Sequence, residues 1–376
     1  MKNKICVYAI CKNEEENLEA WLNSMSEADY IVVLDTGSTD KSFEILSEDK
    51  RVYRTERQIY DEWRFEVARN DSMYLIPEDA NILVCTDIDE IFEPGWAEIL
   101  RKNWKEDTDQ AWYKYVWSHN EDGSEKVIFF NNKIHGRSYY WKFPVHETLF
   151  TDKKNINTIN LYDDPNNMIT LHHYQKYKES RNSYLPGLKT RVSEAFNYEQ
   201  PDYISFLYLT HQYYYEGLYE ECIKYGERVL DRYRDNFSNM EIGSIFNFIG
   251  ESYLKLNNEL KAENYFNMGI TNSIQFTGNY ISSILLYQKQ RRFEMAEVII
   301  KTCDKYATRS YNWLEKANAY DYTLEMIKGV NAWYLGRKLE GLGWTTIAKE
   351  KANGICSQLD KNYELMVSDI MNSGSL

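Results

Sequence analysis

The sequence predicts an α/β domain built on a doubly wound mixed sheet, followed by an all-α domain of paired helices. Two observations carry this. Between residues 5 and 89, short apolar runs alternate with amphipathic stretches, the rhythm of strand–helix–strand units. Beyond Pro201 the pattern turns helical, and a pair of positions nine residues apart recurs. The expected domains are residues 1–195 and 196–376.

Residues 5–10 form an apolar run fit for a buried parallel strand. Leu18, Trp21, Leu22 and Met25 then fall on one helical face. A second strand over 30–34 ends at Asp35-Thr36-Gly37-Ser38-Thr39-Asp40. Phe43, Ile45 and Leu46 continue as a helix, with Ser38, Thr39 or Asp40 as its N-cap. A brief third strand is expected over 51–54, and Trp63, Phe65, Val67 and Ala68 open another helix. The fourth strand, 82–85, stops at Thr86-Asp87-Ile88-Asp89. Ligands of such sheets sit beyond the carboxyl ends of the strands, where these polar clusters lie. Strand-like aromatic pieces follow at 112–117, 127–130, 138–143 and 168–171, and the pattern gives them no spatial order.

In the second half, Tyr213 and Cys222, Tyr253 and Ala262, and Tyr287 and Ala296 are each nine residues apart. The last two pairs are offset by 34 residues, the tetratricopeptide period, and the first by 40, with the polar stretch 235–240 absorbing the excess. Gly217 and Asn257 stand where the turn inside each helix pair belongs. Residues 332–335 and 348–352 read as a fourth, degenerate pair acting as a cap. The competing arrangement is an ordinary helical bundle. Stacked repeats present a concave surface suited to binding a peptide, a protein or a polymer, and they also offer a surface for a homodimer.

A chain of 376 residues has room for two cores. Its 43% hydrophobic and 27% charged content is that of a folded protein. The formal charge of −14 argues against a nucleic-acid partner, whose phosphates call for clustered Lys and Arg. Six scattered cysteines without a Cys-x-x-Cys pair read as reduced core thiols. Residues 5–11 are too short for a signal-peptide core, and no apolar stretch is long enough for a transmembrane segment. The expected location is cytoplasmic.

The sharpest chemical feature is Asp87-Ile88-Asp89 directly after a buried strand. Two hard oxygen ligands that leave positions open suit Mg²⁺ or Mn²⁺ shared with a substrate diphosphate. Asp107-Thr108-Asp109 has the same spacing but no preceding strand, and reads as solvated surface. Lys12-Asn13-Glu14 and Asp35-Thr36-Gly37-Ser38 place carboxylates and amides at two strand ends, where they could bind a nucleoside or simply cap helices.

The runs Ile10-Cys11-Lys12-Asn13-Glu14-Glu15 and Val33-Leu34-Asp35-Thr36-Gly37-Ser38-Thr39-Asp40, followed by Ala68-Arg69-Asn70 and Asp87-Ile88-Asp89-Glu90, resemble glycosyltransferase family 2. His146-Glu147, His173-Tyr174 and Arg181-Asn182 resemble the branch with C-terminal tetratricopeptide-like helices, similar to bacterial peptide S-glycosyltransferases of the sublancin type. The resemblance implies a GT-A fold and an inverting transfer from a nucleoside-diphosphate sugar, UDP-linked by family frequency, to a peptide, protein or glycan. It implies that Ile10, Glu14, Asp35, Arg69, Asp87 and Ile88 line the donor, with Glu14 and Asp35 on the nucleoside and Arg69 near the diphosphate or base. It further implies that Asp87, Asp89 and a late histidine, His173, hold Mn²⁺ or Mg²⁺, with His172 a lesser candidate; His119, His135 and His211 read as structural. An inverting transferase also needs a base. Glu147, beside Trp141 and Phe143, is the choice, with Asp89 and Glu90 as rivals; the bland alternative is an ion pair between Glu147 and an Arg. The chain departs from the family in lacking a first-strand proline, in Trp63-Arg64-Phe65, and in the short stretch between His173 and Arg181. A competing function is a non-catalytic scaffold that binds a partner peptide.

Overall fold

The computed structural model describes residues 3–120, 123–174, 184–198, 200–308, 314, 319–354 and 356–372. Arg181 and Asn182 lie outside the described residues. The chain divides into two compact units, Met1–Arg191 and Val192–Leu376.

In the first unit, β1 (Ile5–Cys11), α1 (Glu15–Met25), β2 (Tyr30–Asp35), α2 (Ser42–Glu48), β3 (Arg54–Arg57), α3 (Phe65–Met73) and β4 (Ile82–Cys85) alternate as expected. Then come β5 (Glu90–Phe92), α4 (Trp96–Asn103), β6 (Gln110–His119), β7 (Glu125–His135), β8 (Tyr139–Lys142), β9 (Thr148–Thr151), β10 (Thr158–Leu161), β11 (Thr170–His173) and α5 (Leu185–Glu194). Among the described residues the main sheet runs β3-β2-β1-β4-β7-β6-β11-β5, with β10 on β6 and a separate β8-β9 hairpin. The first four strands are parallel; β7 runs antiparallel to β4 and β6, so the sheet is mixed.

The apolar run of β1 is continuous because both faces are covered. Ile5, Val7, Ala9 and Cys11 pack with Leu18, Trp21, Leu22 and Met25 of α1 and with Trp96 and Leu100 of α4. Cys6 and Tyr8 face the other way, toward Leu75, Ile76 and Trp141. Alternation across the pleat thus feeds two cores from one strand. The third strand sits three residues later than expected: Tyr53 N–H donates to the Ile31 carbonyl, and pairing with β2 runs from Val32↔Arg54 to Asp35↔Arg57. Its exposed, charged residues carry no apolar signal. Asp109 is also corrected. Its carboxylate is buried, paired with Lys153 and accepting from Asn157 N–H, so it fastens the start of β6 rather than facing solvent.

The second unit is built of α6 (Ile204–Tyr215), α7 (Tyr219–Tyr233), α8 (Asn239–Lys255), α9 (Glu259–Asn272), α10 (Thr277–Lys289), α11 (Phe293–Tyr306), α12 (Leu324–Tyr334), α13 (Lys338–Ala352) and α14 (Ser357–Asn372). Consecutive helices pair as the recurrence predicted. The first helix of each pair ends in a left-handed residue: Gly217, Asn257, Arg291 and Gly336. The next N–H then reaches back to the carbonyl of Tyr213, Tyr253, Tyr287 or Ala332, the closing bond of a Schellman cap. Cys222, Ala262 and Ala296 are fully buried in the second helices, which leaves no room for large side chains. Tyrosine hydroxyls bridge neighbouring pairs, Tyr253 to Glu227 at 3.4 Å and Tyr287 to Glu263 at 3.0 Å. The structure is thus an α/β sheet domain followed by tetratricopeptide-like repeats. No described helix is long and apolar enough to cross a membrane.

Candidate active site

At the ends of β1 and β2 two loops are laced together. Asn13 N–H donates to Ser38 Oγ (2.9 Å), Thr39 N–H to Asn13 Oδ1 (2.7 Å), Glu14 N–H to Ser42 Oγ (2.8 Å) and Lys41 N–H to Glu15 Oε2 (2.8 Å). The capping expectation holds only for Asp40: Lys41 precedes α2 without a side-chain cap and Ser38 serves the neighbouring loop, whereas Asp40 Oδ1 accepts from Ser42 N–H at the start of α2 (3.0 Å) and its Oδ2 from Glu15 N–H. Ile10 is half-buried at the end of β1, and Glu14 Oε2 accepts from Asn17.

Asp35 is fully buried at the end of β2. Its Oδ1 accepts from Gly37 N–H (3.2 Å), Ser38 N–H (3.1 Å) and Arg57 Nε (2.7 Å). Gly37 makes this turn at φ +102°, where a Cβ is strained. Oδ2, equally buried, has no partner among the described residues. A buried carboxylate oxygen without a donor is costly unless a ligand supplies one. Arg57 also lies over the Phe43 ring at 4.2 Å. The sequence reading missed Arg57, whose only signal is its place at the end of the misplaced third strand.

At the end of β4 the two aspartates part. Asp87 Oδ1 meets Arg69 Nη2 at 2.7 Å, and its Oδ2 meets Lys133 Nζ at 3.4 Å. Burial opposes its ionisation, but the charges of Arg69 and Lys133 outweigh this and hold the carboxyl well below the usual range. Glu90 lies beneath: its Oε2 accepts from Asp87 N–H and its Oε1 from the Tyr115 hydroxyl, with Lys133 at 3.5 Å. Burial raises its pKa, with Asp87 adding to the effect. Fully occupied and inaccessible, Glu90 is a floor for the site and no longer a rival base.

Asp89 turns the other way. Pairing of β11 with β5 sets Glu90 opposite His173, and Asp89 Oδ2 stands 3.3 Å from His173 Nε2. His173 Nδ1 lies 3.1 Å from the Trp117 carbonyl, which can only accept, so Nδ1 carries the hydrogen and Nε2 faces the carboxylate. Burial lowers the pKa of His173 and the Asp89 hydrogen bond more than restores it, so the balance is raised. The space between Nε2 and Oδ2 suits a cation, either a proton or a metal. An imidazole anchored by Nδ1–H on a carbonyl is the usual setting of a metal-bound histidine. Among the described residues no group of three or more His, Cys, Asp or Glu could hold a metal ion. A metal held by this pair would take its remaining ligands from substrate and water. His172 is turned to other partners, between His119 and Glu93.

Arg69, on α3, is the hub. It donates from Nε to Glu147 Oε1 (2.5 Å), from Nη1 toward Cys85 Sγ (3.2 Å) and from Nη2 to Asp87. The ring of Trp141 lies 5.1 Å from its guanidinium, and Asn70 grips the Trp141 backbone on both sides, accepting from its N–H (2.8 Å) and donating to its carbonyl (2.9 Å). The Ala-Arg-Asn run thus fastens β8 beside β4. Glu147 does pair with an Arg, and among the described residues only Arg69 hydrogen-bonds it. The structure gathers Arg69, Asp87, Lys133, Glu90 and Glu147 into one charge network and joins Asp89 to His173 beside it. Lys133 was missed in the sequence, since a lone lysine on a strand carries no motif. His135 and His211 are structural: His135 Nε2 accepts from the Tyr8 hydroxyl (2.7 Å), and His211 meets Ser244 Oγ (3.0 Å).

Residues 6–164 match the family model described as Glycosyl transferase family 2, which supports a glycosyltransferase. No curated protein matches the chain. Solved structures with partial likeness include MamA (residues 41 to the end) of Desulfovibrio magneticus RS-1, at 10% identity over 46% of this chain and 88% of that one, TM-score 0.37. Pseudomonas aeruginosa PilF matches at 11% identity over 49% and 72%, TM-score 0.37. A thermophilic tetratricopeptide protein of Thermus thermophilus matches at 13% identity over 49% and 88%, TM-score 0.36.

Proposed function

We propose that this chain is an inverting, metal-dependent glycosyltransferase that moves a sugar from a UDP-linked donor to a peptide, protein or glycan. The observation that carries the reading is the partnerless, buried Asp35 Oδ2 at a strand end of a domain matching glycosyltransferase family 2. Oδ1 is saturated, so the carboxylate has one acceptor to give. Uracil presents one imide N–H and suits it; guanine presents adjacent N–H groups and asks for two. Glu14 and Ile10 line the same strand ends.

Asp89 and His173 would hold Mn²⁺ or Mg²⁺, which when bound neutralises charge on the departing diphosphate. Asp87 and Ile88 flank the donor, and Arg69 keeps a positive charge beside it. Glu147 takes the acceptor's proton on Oε2 as the nucleophile attacks the anomeric carbon from the face opposite the diphosphate, whose C–O bond breaks. The configuration inverts. The helical unit is assigned to the acceptor, whose attacking atom is S, O or N. The test is a screen of nucleotide sugars with Mn²⁺ or Mg²⁺, reading free nucleotide. UDP release, abolished by EDTA, is expected. Tight UDP binding without turnover of any donor would instead mark a non-catalytic scaffold.

A further inference from the structure

We propose that Arg191 is a positioning residue: it clamps the strained loop that carries Glu147 and so sets that carboxylate for proton transfer. The inference rests on the assignment of Glu147 as base.

Between β8 and Glu147 the chain passes through Phe143, Pro144, Val145 and His146. Phe143 has φ +81° and His146 φ +50°. A histidine tolerates the left-handed region better than most residues, but a bulky phenylalanine there is an outlier. Such strain persists only where the surroundings enforce it, and it gathers at functional sites.

Arg191 supplies the enforcement. Its side chain comes from α5 and is 1% exposed. Nη1 donates to the Val145 carbonyl at 2.9 Å and to the His146 carbonyl at 2.7 Å. Consecutive carbonyls of an extended strand point apart; here both turn to one nitrogen, and the positive φ at His146 accompanies that turn. The guanidinium also lies 3.9 Å from the centre of the Phe143 ring. The remaining carbonyl, that of Pro144, accepts from Phe65 N–H at the start of α3 (3.1 Å). One arginine therefore touches three of the four residues leading into Glu147, and α3, which also bears Arg69, holds the fourth. One turn earlier on α5, Gly187 leaves space for Val145: a Cβ there would stand 3.3 Å from Val145 Cβ and Cγ1.

A base acts through its position to within fractions of an ångström, so a loosened loop costs turnover before it costs nucleotide binding. The test uses the full-length protein, UDP-glucose hydrolysis with Mn²⁺ for kcat, and calorimetry with UDP for affinity. Arg191→Met should lower kcat by about ten- to a hundredfold. UDP affinity should stay within about twofold, because ground-state binding is untouched. Arg191→Lys should recover part of the loss, since an ammonium can still donate to both carbonyls but cannot lie flat on Phe143. Gly187→Ala pushes on Val145 without removing Arg191 and should lower kcat severalfold in a folded protein. In a Glu147→Gln background Arg191→Met should cost nothing further, because both act through one group. Wild-type kcat in Arg191→Met, or a loss that multiplies with that of Glu147→Gln, overturns the proposal; if Arg191→Met does not fold, wild-type kcat in Gly187→Ala does so. Wild-type kcat in Glu147→Gln overturns instead the base assignment on which it rests.

Discussion

The end of the site at β2 and its end at β4 treat their carboxylates in opposite ways. Asp35 is fixed by three donors on one oxygen and keeps the other open. Asp87 and Glu147 are covered by cations the chain itself supplies, Arg69 and Lys133. The first arrangement is a preformed socket that needs a ligand to be complete. The second is closed on itself, and a donor diphosphate would have to share Arg69 with the two carboxylates. Binding and chemistry are thus separable by mutation.

The largest expected effect sharpens that separation. Glu147→Gln should reduce donor turnover by about 10²–10⁴-fold, the usual worth of a general base. UDP affinity should hardly move, by calorimetry. Equal losses in both would merge the two halves and refute the contrast.

Asp87 offers a second way to break it. Asp87→Ala removes the counter-charge of Arg69 and Lys133, so a stability loss accompanies any loss of activity. Breaking a buried pair costs about 3–5 kcal/mol, and the partial exposure of Asp87 brings this to about 2 kcal/mol. Urea melts of Asp87→Ala check it against Asp87→Asn, which keeps the shape and removes the charge: a fall in both is expected. Wild-type stability in both variants would show that the cations find other partners.

Acid provides a third probe, because no histidine stands before residue 119 and the β4 end is flanked by several. Burial lowers the pKa of His135 from 6.5 to about 4. The unfolded chain therefore binds that proton first, and stability is lost as pH falls from about 6.5 to 4, by about 3 kcal/mol for this group. His135→Gln should flatten the pH dependence of the melting temperature in that window. An unchanged slope would assign acid sensitivity elsewhere.

The smallest effect lies at the socket. Asp35→Ala should weaken UDP binding by about 1.5–3 kcal/mol, the worth of a hydrogen bond to a charged group. Calorimetry showing unchanged affinity would leave Asp35 as a brace for its own loop.

What the sequence showed followed from how local each signal was. The strand of residues 5–11 was legible because burial on both faces demands an unbroken apolar run. The repeat was legible in Tyr253 and Tyr287 because each sends its hydroxyl to a glutamate of the preceding helix pair. Gly217 and Asn257 announced their left-handed turns, whereas Arg291, which does the same work, did not, since arginine seldom takes a positive φ. Ser38 looks like a cap in its own neighbourhood, yet it bonds across to Asn13, and Asp40 holds the start of α2 and Glu15 at once. Arg57, Lys133 and Arg191 were invisible for a related reason. Each is an isolated cation whose partners lie far along the chain or in a loop whose course cannot be read locally.

The central claim is an open socket beside a closed charge network, and a structure with UDP and Mn²⁺ bound tests it most directly. The account predicts uracil N3 within hydrogen-bond distance of Asp35 Oδ2 and the metal between Asp89 Oδ2 and His173 Nε2. Uracil bound away from Asp35, or Asp89 and His173 still facing each other without metal at saturating Mn²⁺, would contradict it.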